Sequence, residues 1–231
     1  AACLEAQRVQ AESRTDSGRR PLSFGLRVNP EYSEGEVEIY DPCAPYSRLG
    51  TTREELARAL GQDSADLPGQ PAASQDGRAA MDGLTGIHFH TLCEQGADAL
   101  EHTLEAVDAR FGDILHRPEI TWFNLGGGHH ITKPNYDRER LIRLVRTVSE
   151  RYNVKVILEP GEAIAIHTGV LVTTVVDTPR NRMDLAILDT SATAHMPDTL
   201  EMPYRADVWG GGEPGDKKHL YRLGGQTCLA G

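Results

Sequence analysis

Residues 119–128 read EITWFNLGGG, a short run of β-branched and aromatic residues that ends in three consecutive glycines. Helical spacing of apolar residues on either side predicts amphipathic helices over 98–115 and 137–152. This alternation of strand and helix predicts an α/β fold with a parallel sheet or barrel. Similar apolar runs that end in polar or turn-forming residues are PLSFGLRVN at 21–29, TGIHFHTL at 85–92 and VKVILEPG at 154–161.

The remaining segments indicate a division into two domains. Residues 61–82 are rich in Gly, Pro, Ser, Ala and Asp and lack periodicity, which predicts a flexible connector. The long β runs at 169–178 and 184–194 follow one another with no helix between them, a pattern typical of antiparallel sheets. We therefore expect a β/α domain over 1–166 and an antiparallel β domain over 167–231.

The composition is that of an ordinary globular protein and argues against some partners. The 231 residues carry 24 Lys and Arg against 34 Asp and Glu, a net charge of −10, with 39% hydrophobic residues. Nucleic acids and anionic membranes attract basic surfaces, so neither is the expected partner. The first twenty residues resemble a polar helix and loop rather than a signal peptide, and no apolar run is long enough to cross a bilayer, so we expect a cytoplasmic location. The four cysteines are far apart and form no CxxC pair, which favours neither a zinc site nor a disulfide framework.

Two candidate groups stand where predicted strands end, which is where barrel enzymes place their reactive residues. The backbone N–H groups of Gly126, Gly127 and Gly128 could close around an anion such as a phosphate, although a plain tight turn explains the glycines equally well. Glu159 precedes a Pro-Gly pair at the end of its strand and could hold a protonated ring nitrogen. Its alternative role is to cap the helix that begins at Glu162.

His88 and His90 lie on the same face of their predicted strand because side chains alternate with period two. Two interpretations remain open. The pair could ligate a metal, with Glu159 as a carboxylate ligand and His129 and His130 as further imidazoles. Alternatively, one imidazole could stack on an aromatic cofactor while the other is structural.

The predicted second domain holds two further candidates. The stretch DTSATAHMPDTLEMPYR at 189–205 contains Asp198 and Glu201, which could bind a polyamine through charge-assisted hydrogen bonds or form a solvated acidic loop. Cys228 lies among small residues, where a thiol could be reactive, although an inert buried cysteine is the commoner case.

Six segments in this order resemble the carboxynorspermidine/carboxyspermidine decarboxylase family, which belongs to the alanine-racemase-like, fold type III decarboxylases that use pyridoxal 5'-phosphate (PLP). The likeness covers nearly all of the chain from Pro21 onward. HFHTLCE, the glycine triplet followed by HHIT, and HMPD with EMPYR are its most specific parts. The segments are SFGLRVNPEYSEGEVEIYDPCAPYSRLG (23–50), GIHFHTLCE (86–94), NLGGGHHIT (124–132), ILEPGEA (157–163), SATAHMPDTLEMPYR (191–205) and LGGQTCLAG (223–231).

The resemblance implies the C-terminal part of a PLP-binding β/α (TIM-like) barrel followed by part of an antiparallel β domain. It also implies a homodimer with shared active sites, no metal, and decarboxylation of carboxynorspermidine or carboxyspermidine to norspermidine or spermidine in polyamine biosynthesis. The roles implied for single residues are phosphate binding by Gly126, Gly127 and Gly128, ring stacking by His90, contact with the ring nitrogen by Glu159, proton donation by a Cys228 inserted from the neighbouring subunit, and binding of substrate amines by Asp198 and Glu201.

The chain departs from the family at three points, of which the first is that the connector at 61–82 is longer than usual for the family. Ala194 stands where family members commonly have cysteine, and nothing matches the family's lysine that attaches the cofactor on the first barrel strand. We therefore expect this chain to be part of a longer one and to be inactive alone. A metal-dependent barrel hydrolase using His88 and His90 remains an alternative, as does a non-catalytic protein that binds PLP or a polyamine.

Overall fold

The computed structural model describes residues 22–35, 38–61 and 81–228. The chain divides into two compact units, Ala1–Ile166 and His167–Gly231. The helix expected at the start of the chain and most of the predicted connector at 61–82 lie outside the described residues. Among the helices that are described, none combines the length and apolarity needed to cross a membrane.

The first unit alternates strands and helices, as its sequence pattern predicts. Its strands pair side by side in the order β1-β2-β3-β4, and every pair is parallel. Sequential parallel order is typical of β/α barrels, whereas doubly wound sheets reverse their order at a switch point. The elements are β1 (Phe24–Arg27), a 3-10 turn (Glu38–Tyr40), α1 (Arg53–Ala59), β2 (Leu84–His88), α2 (Ala97–Leu115), β3 (Trp122–Asn124), α3 (Arg138–Tyr152), β4 (Lys155–Ile157) and α4 (Glu162–Ala165).

One face of the sheet forms the core with helices α2 and α3. Phe123 of β3 is buried and packs edge-on against the Tyr152 ring at the end of α3, with 6.4 Å between the ring centroids. Val107 and Phe111 of α2 are fully buried in the same cluster, one turn apart as the 3.6-residue period requires. Each such side chain contributes roughly 1.5–3 kcal/mol when it is fully buried, so this face holds the strand ends in place.

The opposite face of the sheet carries unusual side chains. Gly25 of β1 lies opposite Gly86 of β2, and Gly86 lies opposite Trp122 of β3. A Cβ on Gly25 or Gly86 would lie 2.2 Å or 2.0 Å from atoms of the Trp122 ring, so the ring occupies the space that these glycines leave open. The Trp122 indole Nε1 donates to Ser23 Oγ at 2.7 Å. The Trp122 ring therefore packs beneath the next row of side chains on this face of the sheet, and those side chains are polar.

Substituting Gly86 with valine is expected to lower the free energy of unfolding by about 1–3 kcal/mol, the usual cost of overpacking. The new Cβ would meet a ring that its neighbours hold in place, not the mobile end of a flexible side chain. Thermal or urea unfolding followed by tryptophan fluorescence measures the change. Gly161→Ala is the matched control because no atom lies within 4 Å of the position that its Cβ would take. Equal stability of the two variants would contradict the packing of Trp122.

The second unit contains a small sheet in the order β5-β7-β6, with β8 paired to β7. β5 and β6 are antiparallel to β7 as expected, but β8 is parallel to it, so the structure differs from a purely antiparallel domain. A parallel pair needs a long crossover, and more than thirty residues separate β7 from β8. The elements are β5 (Val175–Asp177), β6 (Arg180–Asn181), β7 (Met183–Leu188), α5 (Ala192–His195), α6 (Asp198–Glu201) and β8 (Tyr221–Gly224).

Three expectations within this unit are wrong in detail. The predicted β run at 169–178 is a strand only over Val175–Asp177, and the run at 184–194 is a strand only over Met183–Leu188. The stretch at 189–205, predicted to be a loop, contains the single-turn helices α5 and α6. Ser191 is the N-cap residue just before α5, and its hydroxyl accepts a hydrogen bond from the Ala194 N–H at 3.3 Å. The Ser191 side chain thus favours a helical turn where composition alone indicated a loop.

Candidate active site

The loops that follow β2, β3 and β4 converge, and the glycine triplet makes their close approach possible. Gly126 and Gly128 have φ values of +72° and +79°, which L residues rarely adopt. A Cβ on Gly126 would lie 2.4 Å from the Phe89 carbonyl oxygen, and one on Gly128 would lie 2.1 Å from the Leu92 carbonyl oxygen. The glycines are therefore required by packing as well as by any ligand.

His90 lies directly after β2 and faces the glycine loop. The Gly127 N–H donates to His90 Nδ1 at 3.3 Å, so Nδ1 is the acceptor nitrogen and the proton of the neutral ring is on Nε2. Burial lowers the pKa of His90, and the charge of Arg27 lowers it further, while Glu159 opposes the shift. The site therefore favours a neutral imidazole in a fixed orientation.

Glu159 follows β4 and is held from one side by Asn124, a residue that the sequence pattern did not single out. Asn124 Nδ2 donates to Glu159 Oε1 at 2.8 Å, and Asn124 Oδ1 accepts from the Gly126 N–H at 2.9 Å. The Glu159 side chain is 49% exposed, so its second oxygen remains accessible to a ligand. The only sequence signal for Asn124 is its position at the end of a predicted strand.

His88 lies on the other side of the Glu159 carboxylate. Its Nε2 is 3.7 Å from Glu159 Oε2, beyond hydrogen-bond distance, and this buried atom has no hydrogen-bond partner among the described residues. Burial lowers the pKa of His88, Glu159 partly offsets the shift, and the charges of Arg27 and His90 add to it. A buried polar atom without a partner is costly, so a ligand that supplies one would be favoured here.

A cleft of about 260 Å³ opens beside these groups. His129 and His130 line it, but both residues are buried, and the His129 Nε2 proton is donated to the Leu125 carbonyl oxygen at 3.2 Å. Neither residue belongs to the cluster formed by His88, His90 and Glu159. The suggestion that these two histidines add imidazoles to a metal site is therefore not supported.

The metal interpretation requires His88, His90 and Glu159 to act as ligands. One potential ligand atom from each lies within 4.8 Å of the others. If the metal bound His90 Nε2, the ring proton would be on Nδ1, where it would point at the Gly127 N–H. If the metal bound Nδ1, it would displace the hydrogen bond that the Gly127 N–H donates to this atom. Metal-binding histidines normally donate their second N–H to an acceptor, which is the reverse of this arrangement. The hydrogen bond from Gly127 thus disfavours a metal centre.

Stability is expected to fall as the pH drops below about 6.5. The pKa values of His88, His90 and His129 are lowered from 6.5, so the unfolded chain takes up protons first. Their contribution is complete above 6.5 and is lost as the pH falls through the lowered pKa values. The exposed pair of His102 with Glu34 has the opposite effect on stability, because it raises the pKa of His102.

Urea unfolding at pH 7.5 and at pH 5.5 measures this loss of stability. The loss should be smaller in a His88→Gln, His90→Gln double variant than in the wild type, and an equal loss would contradict the lowered pKa values of these two histidines.

The second unit holds the remaining predicted residues. Asp198 and Glu201 are exposed on α6, and Asp198 Oδ2 accepts from the Tyr204 hydroxyl at 3.3 Å. Cys228 is exposed after β8. A hydrogen bond of 3.2 Å between Thr227 Oγ1 and Thr193 Oγ1 ties the segment just before Cys228 to α5. Within this unit, the segment that carries Cys228 therefore lies against the stretch that leads to Asp198.

Comparison with solved structures places the fold in a class. The chain has a TM-score of 0.63 to a diaminopimelate decarboxylase at 18% identity, covering 88% of this chain and 48% of that one. The predicted α/β fold class is confirmed: the first unit has the sequential parallel strand order of a β/α barrel, and the chain shares its fold with these decarboxylases. No protein-family model matches the chain.

The particular resemblance predicted from the sequence is also confirmed. The chain is 42% identical over 220 residues to a carboxynorspermidine/carboxyspermidine decarboxylase from Campylobacter jejuni, covering 90% of this chain and 52% of the relative. It is 43% identical over 214 residues to a carboxyaminopropylagmatine decarboxylase from Synechocystis, covering 91% and 49%. A crystal structure of carboxynorspermidine decarboxylase from Campylobacter jejuni, complexed with norspermidine, gives a TM-score of 0.69 at 36% identity and covers 98% and 55%. The chain spans about half the length of the curated relatives it matches.

Proposed function

We propose that the chain forms about half of a PLP-dependent decarboxylase that converts carboxynorspermidine or carboxyspermidine to norspermidine or spermidine in polyamine biosynthesis. The observation that carries this proposal is the meeting of the glycine loop, His90 and Glu159 at the ends of adjacent parallel strands. The identity of 42% to a curated enzyme with this activity supports it.

The residues present fit PLP. A Cβ on any of the three loop glycines would clash with neighbouring atoms, so the loop at 126–128 lies close to the segments around it. The expectation that all three N–H groups surround an anion is too broad, because the Gly126 N–H donates to Asn124 and the Gly127 N–H donates to His90. Within the described ranges, the Gly128 N–H has no protein acceptor and is available to a phosphate. The orphaned His88 Nε2 indicates that the site lacks a polar partner that a ligand would provide. A metal ion fits less well because of the bond on His90 Nδ1.

Each residue then has a distinct task. When bound, PLP supplies an electron sink for the electron pair left by the departing carboxylate. Glu159 would hold a proton on the ring nitrogen, because a nearby carboxylate favours the charged form of that nitrogen. His90, kept neutral and oriented by Gly127, would lie against the ring without adding positive charge. The glycine loop would fix the phosphate.

The second unit would supply the substrate side of the reaction. Asp198 and Glu201 would bind the cationic amines of the substrate through charge-assisted hydrogen bonds. Cys228, exposed after β8, would enter the site of a neighbouring subunit and return a proton to the substrate carbon. This role requires a homodimer with shared active sites, which stays a prediction, as does the cytoplasmic location.

A second substrate has comparable support. The 43% identity to a carboxyaminopropylagmatine decarboxylase is within one percentage point of the 42% identity to the first relative. The name of this second enzyme denotes a substrate with a guanidinium group in place of a primary amine. Exposed carboxylates such as Asp198 and Glu201 bind either group, although a guanidinium gains most from bidentate geometry. Comparing kcat/KM for both carboxylated substrates in the complete enzyme would distinguish them.

The 231-residue chain alone is expected to bind PLP but to release no carbon dioxide. All four lysines lie in the described residues: Lys155 begins β4 at the end of the strand opposite the site, Lys133 is exposed in a loop, and Lys217 and Lys218 are exposed in the second unit. We therefore expect borohydride to leave bound PLP unattached, as judged by absorbance and intact mass. Carbon dioxide release would overturn the prediction of inactivity, and stoichiometric zinc without PLP binding would favour the metal-dependent hydrolase.

A further inference from the structure

Asn124 is buried at the end of β3, where its carboxamide group is hydrogen bonded in both directions. The Gly126 N–H can only donate, so the atom that accepts from it at 2.9 Å must be Asn124 Oδ1. The orientation of the amide follows from this contact, and it leaves Nδ2 to donate to Glu159 Oε1 at 2.8 Å. One orientation of the Asn124 amide therefore makes both hydrogen bonds at once.

We propose that Asn124 is a positioning residue that orients the Glu159 carboxylate and couples it to the glycine loop. It would hold Oε1 so that Oε2 remains available to the ring nitrogen of the cofactor. The part of this inference that concerns the cofactor rests on the proposed function. The orientation of Glu159 is a property of the chain without any ligand.

Only an amide of this length satisfies both contacts. Leucine has similar volume but would leave the Gly126 N–H without an acceptor. Aspartate has the same shape and would still accept from Gly126, but it would turn an oxygen toward Glu159 Oε1 in place of a donor. Two carboxylates at that separation repel one another, and one of them must move or take up a proton. Asn124→Asp therefore replaces the neutral amide donor that faces Glu159 with a second acidic group, while it keeps the acceptor for the Gly126 N–H.

The first experiment uses the chain without cofactor. We expect the side-chain NH2 signal of Asn124, observed by NMR, to be shifted by its hydrogen bond and to move in a Glu159→Ala variant, while the Gly126 backbone signal changes less. Because Glu159 is half exposed, its truncation is not expected to unfold the chain. An Asn124 signal that is indifferent to Glu159→Ala would overturn the proposal, whether or not PLP binds.

The second experiment measures PLP affinity. Asn124→Asp is expected to weaken binding about ten- to a hundredfold, the range typical of a lost hydrogen bond to a charged group. Asn135→Asp, at an exposed loop position, adds the same charge and should bind as the wild type does. If Asn124 only supported the loop, Asn124→Asp would also bind normally, and that result would overturn the proposal. Failure of the wild-type chain to bind PLP would contradict the proposed function instead, and the NMR experiment would still decide the role of Asn124.

Discussion

Replacing Glu159 with alanine in the complete enzyme is expected to lower the rate of decarboxylation by about 100- to 1,000-fold, the usual cost of removing one preorganised electrostatic partner. The carboxylate is anchored by Asn124 on one oxygen and faces His88 with the other, so the fold has fixed a negative charge at one point of the site. Without that charge, the cofactor's ring nitrogen would lose its proton more readily, and the neutral ring would withdraw electron density less strongly. Rates at saturating substrate and PLP measure the effect directly.

Two variants serve as controls for this prediction. Glu162→Ala removes another carboxylate from the lining of the same cleft, three residues further along the chain. Ala194→Cys restores the residue that the resemblance leads us to expect in α5 of the second unit. We expect both controls to retain most of the activity. Losses of similar size in Glu159→Ala and in either control would contradict the role assigned to Glu159.

Much of the first unit could be predicted because its signals are local. The helices at 98–115 and 137–152 were placed within one residue by apolar periodicity, since one stripe of each helix faces the sheet. His90 and Glu159 could be found because parallel strands bring their carboxyl ends together whatever the intervening sequence. The sequence pattern alone thus indicated which strand ends would meet.

The features that the sequence did not reveal depend on contacts between distant segments. Asn124, two residues before the first glycine of the loop, is typical of an ordinary turn, and its role is visible only once Glu159, 35 residues away, lies beside it. Likewise, nothing local to Gly86 indicates that the Trp122 ring fills the space above it. In the second unit, the β run at 169–178 was predicted too long because β-branched residues there are exposed and are not paired over their whole length.

The glycine triplet offers the sharpest test of the site, because Gly127 can be changed without backbone strain. Unlike Gly126 and Gly128, it does not have a positive φ, so an alanine is acceptable to the backbone and only the space around it decides the outcome. Its Cβ would lie 2.6 Å from the Glu159 carbonyl oxygen and 3.2 Å from His90 Cε1. The carbonyl oxygen belongs to the backbone and cannot move aside cheaply, so the loop itself must shift.

We expect Gly127→Ala to weaken PLP binding by about a hundredfold, because the shift would break the Gly127 N–H bond to His90 and would also displace the glycine loop at 126–128, where we propose that the phosphate binds. Absorbance titration measures the affinity, and ¹⁵N NMR of the His90 ring reports whether Nδ1 still accepts a hydrogen bond. Gly161→Ala lines the same cleft with open space around its Cβ and should bind PLP normally. Wild-type affinity in Gly127→Ala would show that the cofactor does not depend on this loop, and an unchanged His90 signal would show that the loop had not moved.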